Sequence, residues 1–193
     1  MKYKKIDTKL FIKNRKNFVN KLERKSIAFF NSNDIYPISA DSTLPFDQHR
    51  DIFYLSGIDQ EESLLVLFPD SKDIEYKEML FLRETNEYIT HWEGEKLTKE
   101  QAKNISGINN IFWLGEFEDI LKEVLSQADF VYINTNEHYR QNVQTQTRED
   151  RFINRLKNIN GLKFKKSNPI LQKQRSVKDQ IEIELIKNAC EIT

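Results

Sequence analysis

Cysteine is nearly absent. Cys190 is the only one among 193 residues, so an internal disulfide is excluded and the chain reads as belonging to a reducing compartment. Histidine is almost as scarce. His49, His91 and His138 each lie more than forty residues from the next, and no His-Glu-x-x-His pair or cysteine cluster occurs, so no local metal-ligand spacing exists. The five glycines form neither a phosphate-cradling loop nor a Gly-x-Ser-x-Gly elbow. Net charge is missing too: 30 basic residues balance 30 acidic ones. No global field draws the chain to nucleic acid or an anionic membrane. No apolar run approaches the ~18 residues of a membrane span, and the basic start, Met1 to Asp7, has no apolar segment behind it to make a secretory signal. The expectation is a soluble cytoplasmic protein with neither nucleic acid nor membrane as partner.

What is present is a regular alternation of helical and strand patterns. After Thr8, the residues Leu10, Phe11, Phe18, Val19 and Leu22 fall on one face of a helix. Ser26 to Phe30 reads as a strand, and residues 31–48 as a structured loop. Ser63 to Phe68 is an apolar run without alternation, stopped by Pro69-Asp70. Such a run needs cover on both faces, as in the middle of a sheet with helices on either side. Met79 to Leu82 is a second. Thr98 with Gln101 forms a capping box ahead of Ala102 and Ile105, and Gly107 suits the position just past that helix. A strand at Ile111 to Leu114, a helix with the stripe Phe117, Ile120, Leu121, Val124 and Leu125, a strand at Phe130 to Ile133, and a helix marked by Phe152, Ile153 and Leu156 follow. The basic run Lys163 to Lys166 reads as a solvated strand end or turn. The whole is an α/β layered domain of full size.

The last segment reads as a helix cut off early. Ser176 with Asp179 is a candidate capping box, and Ile181, Leu185, Ala189 and Ile192 repeat at helical spacing up to Thr193 without any stop signal. Cys190 falls on the apolar side of that helix and reads as a small packing residue. The chain is therefore expected to be a piece that stops inside a connecting helix.

One stretch carries more than fold information. Asp41 is followed by Leu44-Pro45-Phe46 and by Asp51-Ile52-Phe53-Tyr54-Leu55-Ser56-Gly57-Ile58-Asp59-Gln60-Glu61. Trp92-Glu93-Gly94 comes next, and Arg175-Ser176-Val177-Lys178-Asp179-Gln180-Ile181-Glu182 closes the series. In order and spacing this set resembles the N-terminal domain of Xaa-Pro aminopeptidases (aminopeptidase P), of the creatinase/prolidase or "pita-bread" metallopeptidase family, from Phe11 to Thr193. Two positions depart from the family pattern: Ser56 replaces Thr, and Gln60-Glu61 replaces Glu-Pro.

The resemblance implies a mixed sheet of about six strands flanked by helices. It implies an N-terminal domain over residues 1–174 and, from 175 to 193, the start of a connecting helix into a catalytic domain outside the chain. The whole enzyme would remove an N-terminal residue that precedes proline. It would use two divalent ions, usually manganese, held by two Asp, one His and two Glu of that catalytic domain, so this chain would carry no metal ligand and no catalytic residue. Its implied partners are its own catalytic domain, further copies of itself and the peptide substrate. Three residues map to the rim of the substrate cleft: Trp92, Asp41 and Arg175, the last two as an Asp–Arg pair. A partly buried core tryptophan and an ordinary domain-closing salt bridge are the alternatives. Phe53, Tyr54 and Leu55 read as core, Gly57 as a turn residue with positive φ, and Trp92 as exposed on a surface loop among the polar His91, Glu93 and Glu95. A prolidase N-domain, or an inactive peptidase-like interaction module such as that of a histone chaperone subunit, remain as alternative functions.

Overall fold

The computed structural model describes residues 5–135, 145–159 and 161–192; His138 lies outside them. In chain order the elements are α1 (Thr8–Val19), β1 (Ser26–Asn31), β2 (Pro37–Ser39), β3 (Ser42–Thr43), α2 (Arg50–Ser56), β4 (Leu64–Leu67), β5 (Glu78–Leu82), α3 (Glu87–Glu93), α4 (Lys99–Ser106), β6 (Asn110–Trp113), α5 (Phe117–Leu125), β7 (Phe130–Ile133), α6 (Arg148–Lys157), β8 (Lys163–Lys166), α7 (Asn168–Ser176) and α8 (Gln180–Ile192). Six strands form one sheet in the order β6-β5-β4-β1-β7-β8. The sheet is mixed. β4 runs antiparallel to both β1 and β5, whereas β1–β7, β7–β8 and β5–β6 are parallel.

The unbroken apolar strands lie in the middle, where every residue of β1 and β4 is buried. Their two sides feed two cores. Ile27, Phe29, Leu64, Val66 and Phe81 point to α5 and α6, where they meet Leu121, Val124, Phe152 and Leu156. Ala28, Phe30, Leu65, Leu67 and Leu80 point the other way, to Phe18, Ile52, Leu55, Ala102 and Leu171 of α1, α2, α4 and α7. The period-2 alternation of side chains divides each strand between the layers. Each large apolar side chain so buried contributes about 1.5–3 kcal/mol, and the polar residues of β1, Ser26 and Asn31, stand only at its two ends. The edge strand β8 is the opposite case. Lys163 and Lys166 are exposed, and lysines along an edge discourage pairing with another chain.

Local signals set the helix ends. Thr98 and Gln101 form both halves of the expected capping box, and Gly107 adopts φ 72° at the end of α4. α1 begins one residue earlier than its pattern suggested, because the Asp7 side chain accepts from the Lys9 N–H.

Three expectations need correction. The segment 31–48 is not all loop: Pro37–Ser39 and Ser42–Thr43 pair as an exposed hairpin. Ser176 does not cap the last helix. It ends α7, where its hydroxyl donates to Lys173 O at 2.8 Å. The capping pair is Asp179, which accepts from Ile181 N at 3.0 Å, and Glu182, which accepts from Asp179 N at 2.8 Å. Cys190 is exposed rather than packed. Ile183 and Ile186 of α8 are exposed as well.

Candidate functional site

The segment from Asp51 to Gly57 is α2 and its end. His49 starts the helix, its Nδ1 accepting from Asp51 N at 3.3 Å. Burial lowers the His49 pKa, the nearby Asp51 opposing this and Arg175 and Arg50 adding to it. A neutral ring fits its acceptor role at Nδ1. Ile52 and Leu55 are buried. Phe53 and Tyr54, expected in the core, are only half-buried, because α2 turns that face outward. Phe53 packs edge-on against Phe11 at 6.3 Å, and Tyr54 lies beneath the Arg175 guanidinium at 5.4 Å.

Gly57 closes α2 in the left-handed region, φ 71°. A side chain there would strike the Phe11 ring at 2.4 Å, so glycine is required both by conformation and by space. The same chemistry closes α4. Ser56 Oγ donates to Ile52 O and Ser106 Oγ to Ala102 O, each at 2.7 Å, and the two hydroxyls accept from Ile58 N and Ile108 N. Arg15 joins the two ends. It has no exposed surface, and its Nη1 donates to Leu55 O at 2.8 Å and to Ser106 O at 2.9 Å. Burial works against its charge and Glu78, 3.3 Å from Nε, offsets this. A cation at two helix C-termini also complements their dipoles. The Leu-Ser-Gly part of the stretch is thus a device of the fold.

The Asp–Arg pair exists with a different aspartate. Arg175 Nη1 donates to Asp51 Oδ1 at 2.8 Å, not to Asp41. Asp51 Oδ2 accepts from Asn134 Nδ2 at 2.9 Å, so this carboxylate ties α2 to the end of α7 and to the residue after β7. Asp41 is exposed at the turn between β2 and β3, on a hairpin that carries it away from that pair. Trp92 belongs to the short helix α3, not to a loop. It is 69% exposed and shares an outward aromatic group with His91, 4.9 Å away, and Tyr88, 6.5 Å away. Arg83 braces this helix through Glu93 and Glu62. The structure therefore joins none of the three expected rim residues by a hydrogen bond or ion pair with one another.

A second polar group lies beyond the ends of β1 and β7. Glu149, in the first turn of α6, accepts from Asn31 Nδ2 at 2.8 Å and from Asn134 N at 3.2 Å. Burial raises its pKa to about 7, the hydrogen bonds from Asn31 and Asn134 restraining the rise. Beside it, burial lowers the pKa of Arg148, with Glu62 and Asp34 opposing. A cavity of about 420 Å³ opens over these residues.

The sequence model of "Aminopeptidase P, N-terminal domain" matches residues 11–132. The chain belongs to this family. Curated relatives agree: it is 25% identical over 185 residues to the Xaa-Pro aminopeptidase of Escherichia coli, covering 95% of this chain and 42% of the relative. It is 26% identical over 153 residues to that of Haemophilus influenzae, covering 79% and 33%. Among solved structures, aminopeptidase P from E. coli superposes with a TM-score of 0.79 at 24% identity, covering 97% of this chain and 43% of that one. Pseudomonas aeruginosa aminopeptidase PepP gives 0.80 at 21%, covering 97% and 42%. These structures share the fold described above. The chain spans less than half the length of the relatives it matches.

In this aminopeptidase P N-terminal domain, the residues of the signature do two jobs that sequence order does not separate. Asp51 orients a cation, whereas Leu55, Ser56 and Gly57 close a helix. Sequence reasoning passed over Asn31, Asn134, Arg148 and Glu149. Glu149 carries an ordinary first-turn signature, and only the packing of α6 on β1 and β7 gives it a special environment. Among the described residues, no three His, Cys, Asp or Glu side chains converge as metal ligands. No helix among them is long and apolar enough to cross a membrane.

Proposed function

We propose that the chain is the non-catalytic N-terminal module of a cytoplasmic, manganese-dependent Xaa-Pro aminopeptidase. The observation that carries this reading is the family match over residues 11–132, supported by relatives that are named Xaa-Pro aminopeptidases. In this reading the module packs against its own catalytic domain, supports homo-oligomer assembly and lends residues to the rim of the peptide cleft. The exposed Trp92 suits an apolar wall for a proline ring, because an indole offers a large rigid face at little entropic cost. Asp41, exposed on its hairpin, and Arg175, which Asp51 holds in place, are the proposed polar members of that rim. The open flank of α8, with Ile183 and Ile186, supports a catalytic domain seated against it.

The coding sequence beyond Thr193 tests the proposal first: it should supply two Asp, one His and two Glu as metal ligands. The longer chain should then cleave an Xaa-Pro tripeptide in manganese, and Trp92→Ala should lower kcat/KM by about 5- to 150-fold, the effect of losing roughly 1–3 kcal/mol. A continuation without those ligands would end the enzymatic reading. The 193-residue chain alone should give no turnover above a metal-only blank. Turnover abolished by a chelator would place catalysis within this domain.

A further inference from the structure

The crevice over Glu149 lies where an open α/β sheet offers a ligand site. β1 and β7 are parallel neighbours, and the helices that follow them in the chain lie on opposite faces of the sheet. After β1 the chain goes to α2, which packs in the core layer of Phe18 and Phe30. After β7 it goes to α6, in the layer of Phe29 and Phe117. Where the helices after adjacent parallel strands lie on opposite faces, a crevice forms at the strands' carboxyl ends, the usual ligand position in such sheets. The cavity of about 420 Å³ found here is in the range of small-molecule sites.

Its charges do not close among themselves. Asp34 is paired with Arg151 and Asp47 with Arg50. Asp150 is engaged by Thr147 as a helix cap, and His49 is an N-cap acceptor. Two groups are left over. Among the described residues, Arg148 takes part in no ion pair, and its guanidinium makes one long contact, to Ser32 Oγ at 3.3 Å. Glu149 is held by amide donors, and among the described residues no cation forms an ion pair with it. The two form no ion pair, because adjacent residues on a helix point about 100° apart, and Glu149 acts on Arg148 only as a nearby charge, with Glu62 and Asp34. The hairpin and the loop after it add an apolar wall from Tyr36, Leu44 and Phe46, and Tyr36 and Leu44 are exposed.

We infer that this crevice binds a free amino acid with an apolar side chain, its ammonium on Glu149, its carboxylate on Arg148 and its side chain against Tyr36 and Leu44. Both charges of a zwitterion are needed to complete the two leftover groups. A purely anionic ligand would meet the carboxylate, and a purely cationic one would leave the guanidinium without an ion-pair partner among the described residues. The inference does not depend on the peptidase reading.

The test is a titration of the isotope-labelled 193-residue chain with L-leucine, N-acetyl-L-leucine and L-leucinamide, followed by NMR. L-leucine should saturate shifts at the Asn31 and Asn134 side-chain amides and the Glu149 backbone, while the two blocked ligands bind at least about ten-fold more weakly, each having lost one charge-assisted contact. Glu149→Gln should weaken L-leucine by about ten-fold or more. Tyr36→Ala, on an exposed wall that does not hold the fold, should weaken it by about three-fold. Should Glu149→Gln fail to fold, the ligand series and Tyr36→Ala decide. No shift at the crevice with L-leucine, or equal binding of all three ligands, would overturn the inference.

Discussion

Arg15 and Arg148 are both largely withdrawn from water, and they end in opposite circumstances. Arg15 gives its protons to two helix-end carbonyls and to Glu78. All three acceptors are fixed by the fold, and the side chain has no exposed surface to offer a ligand. Arg148 has one long hydroxyl contact, and the carboxylates that act on it stay outside ion-pair distance. A buried cation completed by its own chain holds the domain together. One left short keeps its binding capacity, at a cost that the rest of the fold must carry.

The largest test of this contrast is Arg15→Met. Removing the guanidinium leaves two buried carbonyls and Glu78 without their donor, and stability should fall by about 3–5 kcal/mol in urea unfolding. A loss below roughly 1 kcal/mol would make the two helix ends self-sufficient and end the comparison.

Next in size is a pair of substitutions at the two helix ends that Arg15 joins. Gly57→Ala forces a positive-φ alanine into the Phe11 ring, whereas Gly107→Ala meets the flexible tip of Ile12 at 2.7 Å. The first should cost roughly 2–4 kcal/mol and the second about 1–2 kcal/mol. Phe11→Leu should restore part of the first loss and none of the second. Equal losses would show that backbone conformation alone sets the cost.

At the crevice, the sign should reverse. A carboxyl whose pKa rises to about 7 on folding, from 4.5, binds its proton more tightly in the folded chain. Its contribution is therefore greatest at low pH and declines as pH rises from about 4.5 through 7. Glu149→Gln should abolish that slope and stabilise the chain at pH 8 by about 1–3 kcal/mol. Thermal unfolding at pH 5 and pH 8 reads it directly. A variant less stable than the parent at pH 8 would mean that the charged form is welcome there.

The smallest effect is expected at Trp92. With most of its surface in water, Trp92→Ala should change stability by no more than about 0.5 kcal/mol. Iodide should quench Trp92 emission in a Trp113→Phe background. Blue-shifted, protected emission would remove Trp92 from the rim.

Much of the fold was legible in the residues. The runs at Ser63 to Phe68 and Met79 to Leu82 marked two middle strands because a strand covered on both sides cannot alternate. Thr98, Gln101 and Gly107 marked both ends of α4 because caps act within a single turn. The site was much less legible. Asp41 was a reasonable partner for Arg175 by order along the chain, but the hairpin of β2 and β3 holds it elsewhere. The spacing of Ser176 and Asp179 suited a cap equally well, until α7 claimed Ser176 as its last residue.

By itself, then, the sequence determined the family, the middle strands, the apolar stripes of α1, α5 and α6, and both ends of α4. Each of these is written in neighbouring residues and in the energetics of single elements. Only the tertiary structure decided that one arginine joins the ends of α2 and α4, that Asp51 rather than Asp41 holds Arg175 across 124 residues of chain, and that Glu149 and Arg148 face a cavity. Those outcomes depend on which elements pack together, and burial and charge pairing follow from that packing, not from separation along the chain.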